Sequence, residues 1–532
     1  MNKFFKIFSG YFLLILVAFI FETVFNSLKV NAFHNLIENI LFAIALIIPL
    51  YFFKKKIISR AYFVFSYLVF SFCIIFETVY FYLFKTYFSS SAIFVILESN
   101  TNEAKEFSSF YINKPAIAFL LIIALIVLFV LKKQKISSFV SSTVTTKKKI
   151  KLLSVFILIL TFLKLTTLIV FNVPYLILKS SFEYHIESKK LGDYKKNKNG
   201  NFTNVFQSKK DEEEVHVVIL GESTTRSHLG IYNYYRETTP GLNRLKDRLL
   251  VFNDVISPHA YSVGSLTKML TLGNYESPEK VSEGSIIQLA NSADYTTYWL
   301  SNQRPIGPYE SMITKISLSA KTSKFLTTTI AGNSKVLDET IIPEFNKALN
   351  NNVKRKVIFI HLMGTHHHYE NRYPLAFAKF ENQPKTKFKS TESFKKINHY
   401  DNAVLYNDFI ISKIIKKVDS LETKGTVLFL SDHGEEMFND LNMAGHNEDI
   451  YSKQMFDIPF LLWQSEKYKQ QKNLFFDKER NYMVDDLFHS LADLLCIKAN
   501  EVDTTRSIFS KYFKERKRII KDTINYDTFF KK

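Results

Sequence analysis

Val215-His216-Val217-Val218-Ile219-Leu220 is a short apolar run, and it stops at Gly221-Glu222-Ser223-Thr224-Thr225-Arg226. A run of this length, closed by a glycine and polar residues, reads as a strand buried on both faces, the form found in parallel sheets. Lys356–Leu362, Thr426–Leu430 and Pro459–Trp463 have the same character. Helical patterns such as Tyr400–Ser420 and Tyr482–Leu495 fall among them. Strands alternating with helices predict an α/β domain with a mostly parallel sheet flanked by helices. In such sheets ligands collect at the carboxyl ends of the strands, which is where the polar residues after Leu220 stand.

Outward from this domain, toward the start of the chain, the composition changes. A hydrocarbon core about 30 Å thick needs roughly 20 apolar residues of helix. Five stretches meet that expectation: Phe5–Phe25, Leu36–Phe53, Ala61–Phe84, Pro115–Leu131 and Leu152–Val173. Lys3 and Lys6 precede the first. Lys54, Lys55, Lys56 and Arg60 separate the second from the third, and Lys132, Lys133, Lys135, Lys147, Lys148, Lys149 and Lys151 separate the fourth from the fifth. If five helices alternate, all three basic clusters lie on one side, which the positive-inside rule makes cytoplasmic. Everything after Pro174 then lies on the far side. Val30-Asn31-Ala32 loosely resembles a signal cleavage site, but the apolar core before it is longer than a typical signal peptide's. The expected division is therefore a five-helix transmembrane domain (residues 1–175), a polar linker (176–214) and the α/β domain (215–532).

The net charge of +19 does not indicate nucleic acid. Up to Leu178 there are 18 Lys and Arg against 6 Asp and Glu, so most of the excess lies beside the apolar runs, where it sets topology. No nucleic-acid motif accompanies it. Cys73 and Cys496 are the only cysteines, one in an apolar run and one in the distal domain, so any metal must be held by His and carboxylates. Glu22, Glu38 and Glu77 sit in or near apolar runs, where carboxylates are costly; they read either as interfacial residues at helix ends or as functional groups.

Glu222 follows one strand, and Ser431-Asp432-His433-Gly434-Glu435 follows another. Glu, Asp and His with one open position make a catalytic zinc set. Between them in sequence lies Ser257-Pro258-His259-Ala260-Tyr261-Ser262, leading into the helical pattern Leu266–Leu272. A hydroxyl at a helix start gains from the amides there, which also favour phosphate, and a divalent ion beside it would make it a nucleophile near neutral pH. Ser257, Ser262, Ser265 and Thr267 all compete for that role, and each reads equally well as a helix cap. Histidines gather at His361, His366, His367 and His368, and His446 follows at loop distance. His489, on an amphipathic pattern, reads as structural.

These segments resemble the phosphoethanolamine transferases, membrane members of the alkaline phosphatase/sulfatase superfamily. The resemblance rests on Gly221-Glu222-Ser223 with Arg226, Tyr232-Asn233-Tyr234-Tyr235-Arg236, Thr238-Thr239-Pro240, and Tyr298-Trp299-Leu300-Ser301-Asn302-Gln303. It continues in His361-Leu362-Met363-Gly364-Thr365-His366, Arg372-Tyr373-Pro374, Tyr400-Asp401-Asn402 and Asp432-His433-Gly434-Glu435. It implies an alkaline-phosphatase-like fold, with Glu222, Asp432 and His433 as zinc ligands. The family's nucleophile, usually threonine, falls on Ser262, which would also touch the metal. His366 and His446 would bind the transferred phosphate or assist proton transfer. Asn302 and the loop carboxylate Glu103 would meet substrate.

The implied reaction moves phosphoethanolamine from phosphatidylethanolamine to an envelope acceptor, lipid A or lipopolysaccharide core, through a phosphoethanolamine-serine intermediate. The setting would be a bacterial inner membrane with the catalytic domain in the periplasm. A phosphoglycerol transferase of the lipoteichoic acid type shares the superfamily and anchor, although the Tyr-Trp-Leu-Ser-Asn-Gln and Gly-Thr-His segments favour phosphoethanolamine. A sulfatase would carry a Cys/Ser-x-Pro-x-Arg segment, and none surrounds Ser262. An inactive lipid-binding sensor would have no need of intact ligands.

Overall fold

The computed structural model describes residues 2–25, 30–84, 113–133, 145–190, 196–207, 212–303, 312–326 and 337–530. Glu103 lies outside them. The chain divides into two compact units, one carrying the N-terminal helices up to Tyr184 and one carrying His185 onward.

In the first unit α1 (Asn2–Phe25), α2 (Val30–Ile47), α3 (Lys56–Phe84), α4 (Lys114–Lys133) and α5 (Thr146–Leu165) follow one another. Phe4–Phe25, Ala32–Tyr51, Lys56–Leu83 and Lys114–Lys133 are long and apolar enough to cross a membrane. The expected fifth span, Leu152–Val173, does not reach that standard. Lysines fill the first turn and a half of α5, the helix ends at Leu165, and Thr167 takes a left-handed φ of 59° before a short 3-10 turn. Large apolar side chains such as Phe65, Leu125 and Leu128 point outward, as they do on helices solvated by lipid. The carboxylates turn the other way: Glu22, Glu38 and Glu77 are buried. Asn172 donates to Glu38 at 2.8 Å and Asn39 to Glu77 at 3.0 Å, so at least two of the costly groups are matched by amides.

The second unit is built on a seven-stranded sheet. Its strands in chain order are β1 (Glu214–Gly221), β2 (Leu249–Val251), β3 (Thr296–Ser301), β4 (Thr322–Phe325), β5 (Arg355–His361), β6 (Lys424–Ser431) and β7 (Phe460–Gln464). Their spatial order is β2-β7-β6-β1-β5-β3-β4. Strands β6, β1, β5, β3 and β4 run parallel, while β7 is antiparallel to both β6 and β2. The sheet is therefore mostly parallel, as expected, but mixed, because the Pro459–Trp463 run returns beside β6 without a crossover helix between them.

Residues alternate across the sheet into two apolar layers. Val218, Leu220, Phe359 and Leu428 face one layer together with α6 (Ser262–Leu270). Val217, Ile219, Ile360 and Phe429 face the other, under α7 (Ile341–Leu349) and α8 (Thr391–Asp419). This two-sided burial explains the unbroken apolar runs. At the opposite end from the strand tips, Glu214 accepts from Arg355 at 2.8 Å, Tyr295 at 2.7 Å and Lys424 at 3.0 Å, tying three strands at their starts.

Candidate metal centre and active site

The three central parallel strands deliver the site. β1 ends at Gly221 and turns at once through Glu222, with Ser223 in a left-handed conformation at φ 56°. β6 ends in Ser431, and the Asp432 amide donates to the Gly221 carbonyl at 3.1 Å. From β5, Thr365 clasps the first turn: its amide and hydroxyl both donate to the Glu222 carbonyl at 3.0 Å. Gly364 stands at φ 53°, so close that a Cβ would lie 2.8 Å from the Glu222 backbone nitrogen and oxygen. Asp338 holds this loop by accepting the Met363 and Gly364 amides at 2.8 and 2.9 Å.

Glu222, Asp432 and His433 are all buried, and each offers a ligand atom within 4.8 Å of the others. The His433 Nδ1 donates to the Gly434 carbonyl at 2.8 Å, which turns Nε2 inward, 3.3 Å from Glu222 Oε1 and 3.5 Å from Asp432 Oδ2. Asp432 Oδ1 accepts the His433 and Ser223 amides at 2.7 and 3.1 Å, whereas Oδ2 is buried with no hydrogen-bond partner. A buried carboxylate oxygen left free beside a second carboxylate and an imidazole nitrogen calls for positive charge. Burial, then the Glu222 charge, pushes Asp432 up to about 7. Burial works against a charged His433, but Asp432 and Glu222 override it and push the imidazole up to about 10. Burial would raise Glu222 too, yet His433 and His366 hold it well below the carboxylate range. The donor set of two carboxylates and an imidazole fits a zinc ion.

Ser262 opens α6 and reaches this group. Its Oγ lies 3.1 Å from Glu222 Oε2 and 3.4 Å from His433 Nε2. The competing hydroxyls are placed elsewhere: Ser257 and Ser265 both donate to the His259 carbonyl at 2.9 Å, and the Thr267 oxygen is buried within the helix packing.

A second cluster borders the first. His367, Glu435 and His446 bring ligand atoms within 4.8 Å of one another, and His446 Nδ1 lies 2.6 Å from Glu435 Oε2. Tyr369 donates to the other Glu435 oxygen. The His446 ring stands 4.2 Å from that of His433. Burial, aided by the neighbouring His433, lowers His446 to about 3, and burial with His367 holds His366 well below its usual value. Burial thus favours the neutral form of both rings, and the His366 Nδ1 is buried without a hydrogen-bond partner. Glu435, part of the Asp-His-Gly-Glu motif, had no role assigned from sequence.

Asn302 is fully buried and donates to Asp338 at 2.8 Å, under the Gly364 loop. Its neighbour Gln303 reaches Glu222 instead, at 2.9 Å. His489 takes the structural place expected of it, accepting the Asp503 amide at 3.2 Å. Tyr400 and Asp401 lie behind the site. Asp401 is enclosed by His228 at 2.7 Å, Arg236 at 2.7 Å and Tyr234 at 3.0 Å. Their motifs are recognisable in sequence, but their bracing role depends on pairings across more than 160 residues.

The sulfatase family profile matches residues 215–497, more than half of the chain and the whole of the sheet with its site. Over 483 residues, 84% of this chain and 83% of the relative, it is 29% identical to the phosphoethanolamine transferase EptC of Escherichia coli K12. The crystal structure of the C-terminal periplasmic domain of Escherichia coli EptC in complex with Zn is 32% identical. It superposes with a TM-score of 0.59 and covers 62% of this chain and 96% of that domain. The chain belongs to the sulfatase family, among its phosphoethanolamine transferases. The integral membrane transferase EptA of Neisseria meningitidis shares the fold of this family member over 85% of its length and 90% of EptA, with a TM-score of 0.62 at 21% identity.

Proposed function

We propose that this transferase moves phosphoethanolamine from phosphatidylethanolamine to lipid A or the lipopolysaccharide core, through a covalent phosphoethanolamine-Ser262 intermediate. The observation that carries this reading is the convergence of Ser262 with Glu222 and His433 beside the unpartnered Asp432 Oδ2. Relatives named as lipid A phosphoethanolamine transferases, such as that of Escherichia coli K12 at 26% identity over 273 residues, support the acceptor class. Glu222, Asp432, His433 and Ser262 would hold a zinc ion. Bound there, zinc would lower the proton affinity of the serine hydroxyl and offset charge gathering on the phosphoryl oxygens.

Ser262 Oγ forms a bond to phosphorus as the bond to the diacylglycerol oxygen breaks, and that oxygen leaves with a proton. An acceptor oxygen then attacks the same phosphorus, gives up its proton and releases Ser262. His446 and His366 border Glu222 and His433 and would contact the phosphoryl group, each neutral ring offering one N–H donor. Asn302 would brace the substrate side of the site through Asp338, and Glu103 would meet the ethanolamine group. Five membrane crossings, the fifth using the less apolar α5, would place the catalytic unit in the periplasm of a bacterial inner membrane. Confinement beside lipid donor and lipid acceptor replaces a search through water with diffusion in a plane.

The test is mass spectrometry of lipid A and core from cells carrying the full chain or Ser262→Ala. The native chain should add phosphoethanolamine and the variant should not. Full decoration by the variant would remove Ser262 from the mechanism.

A further inference from the structure

His259 stands in the loop that ends at Ser262. Its ring is buried, and Nδ1 donates to Glu448 Oε1 at 2.8 Å, while Glu448 Oε2 accepts the Ala260 amide at 2.8 Å. A carboxylate facing a ring nitrogen and an amide accepts from both, so Nδ1 carries the hydrogen. One side chain thus grips both the ring and the backbone just before Ser262. The ring also lies against the first turn of α6. Ser265 donates to the His259 carbonyl at 2.9 Å, and a Cβ on Gly264 would lie 2.9 Å from the ring's Cγ.

Glu448 comes from the segment that carries His446. Ser262 Oγ is 3.4 Å from His433 Nε2, and the His446 ring is 4.2 Å from the His433 ring. The two groups therefore border one imidazole, yet Ala260 and Glu448, which join their segments, are 188 residues apart in sequence. A second carboxylate approaches His259 from the other side, with Asp522 Oδ1 3.8 Å from Nε2. Asp522 is 59% exposed and pairs with Lys268, so its hold on the ring is weak. The shorter bonds to buried Glu448 are the ones that fix the loop.

We infer that His259 is a positioning residue: through Glu448 it ties the Ser262 loop to the His446 segment and so fixes the serine oxygen against the histidine that would contact the phosphoryl group. Attack requires the reacting atoms to be held about 3–3.5 Å apart and aligned, and a misplacement of about 1 Å can cost on the order of 100-fold in rate. The inference rests on the reading of Ser262 as the nucleophile.

The full-length protein is given phosphatidylethanolamine in mixed detergent micelles, and intact-protein mass spectrometry follows the phosphoethanolamine adduct on Ser262. Its rate of formation at rising lipid concentration separates maximal rate from half-saturation, and zinc content is measured on the same samples. His259→Ala should lower the maximal rate by about 10–100-fold, with half-saturation and zinc content as in the native protein. His259→Asn places an amide nitrogen where Nδ1 stands and should recover most of the rate. With Glu448→Ala also present, asparagine should recover nothing over alanine. If His259→Ala does not fold, His259→Gln is read in its place; its nitrogen extends toward the Nε2 position, and it should lose the rate as well. A native rate in the folded Ala or Gln variant, or an Asn variant no faster than these, overturns the role of His259 and leaves Ser262 as the nucleophile. A native protein that forms no adduct on Ser262 overturns both.

Discussion

The Tyr400 hydroxyl donates to the Ser223 carbonyl at 2.8 Å and accepts the Thr225 amide at 2.9 Å, both inside the turn that follows Glu222. That turn contains Ser223 at φ 56°, a strained position for a residue with a Cβ. A side chain on α8, 177 residues away in sequence, thus stabilises the conformation that aims Glu222 at Asp432 and His433 in the candidate metal centre. Tyr400→Phe should leave the buried Thr225 amide without its acceptor, at a cost of about 1–3 kcal/mol, while the Ser223 carbonyl still accepts from Thr365 at 2.8 Å. Denaturant unfolding should show that loss, and zinc affinity should fall with every ligand still present. Native zinc affinity in the variant would mean that the turn holds its shape without the tyrosine.

Asp432 separates two roles by oxygen atom, and Asp432→Asn tests them apart. The asparagine oxygen can still accept the Ser223 and His433 amides. Its NH2 group then replaces the free Oδ2 and offers a donor where a ligand is required. The expected result is a folded protein that has lost zinc by more than about 100-fold, beyond what removal of an outer hydrogen bond costs. Metal analysis and thermal unfolding on one sample check this. Stoichiometric zinc in the variant would exclude Asp432 as a ligand.

The convergence of Glu222, Asp432 and His433 was legible because each stands just past the end of a buried run, and a polar residue at a strand tip is visible without knowing the strand's neighbours. The braces were not. Gln303, Asp338 and Glu435 acquire meaning only from partners brought close by the sheet, and Tyr400 was legible as a motif but not as a support. Strands failed for local reasons. Leu249–Val251 and Thr322–Phe325 are short edge strands, and Thr296–Ser301 begins with two threonines in place of an apolar run. The direction of β7 could not be read at all, since an apolar run looks the same either way. In the membrane unit, hydropathy located the helices, but residues after Leu165 read as one apolar run where the backbone breaks at Thr167.

Stability should depend on Glu214 in a pH range set by its partners. Burial would raise its pKa, but His216, Tyr295 and Arg355 hold the folded-state value far below the ordinary 4.5. A depressed carboxylate contributes in full above its unfolded value and loses that contribution as pH falls, because the unfolded chain takes up the proton first. Glu214→Gln should therefore lower stability by about 3–5 kcal/mol at neutral pH, leaving Arg355 and Lys424 buried without their charge partner. The gap between native and variant should stay constant down to about pH 4.5 and narrow below it. Urea unfolding across pH 3–7 measures this; a gap that widens in acid would contradict the assignment.

Gly364 offers the sharpest test of how the loops support the metal centre. Its φ of 53° is strained for any residue with a side chain, and an added Cβ would lie 2.8 Å from both the nitrogen and the oxygen of Glu222. Neither is the far end of a flexible side chain, so the backbone must move. The β1 turn can yield only by breaking the Thr365 bonds to the Glu222 carbonyl, and the Gly364 loop only by leaving Asp338. Gly364→Ala should cost about 1–3 kcal/mol from the strained conformation alone, with the contact adding to it. Because the movement falls on Glu222, zinc affinity should drop further than stability predicts. The comparison is with Gly200→Ala, also at positive φ, where the added Cβ meets the Phe202 ring and the Gln288 side chain and not a ligand. Both variants should unfold earlier than the native protein, and only Gly364→Ala should bind zinc weakly. Equal zinc binding in the two would show that the Glu222 backbone is not set by its contact with the Gly364 loop.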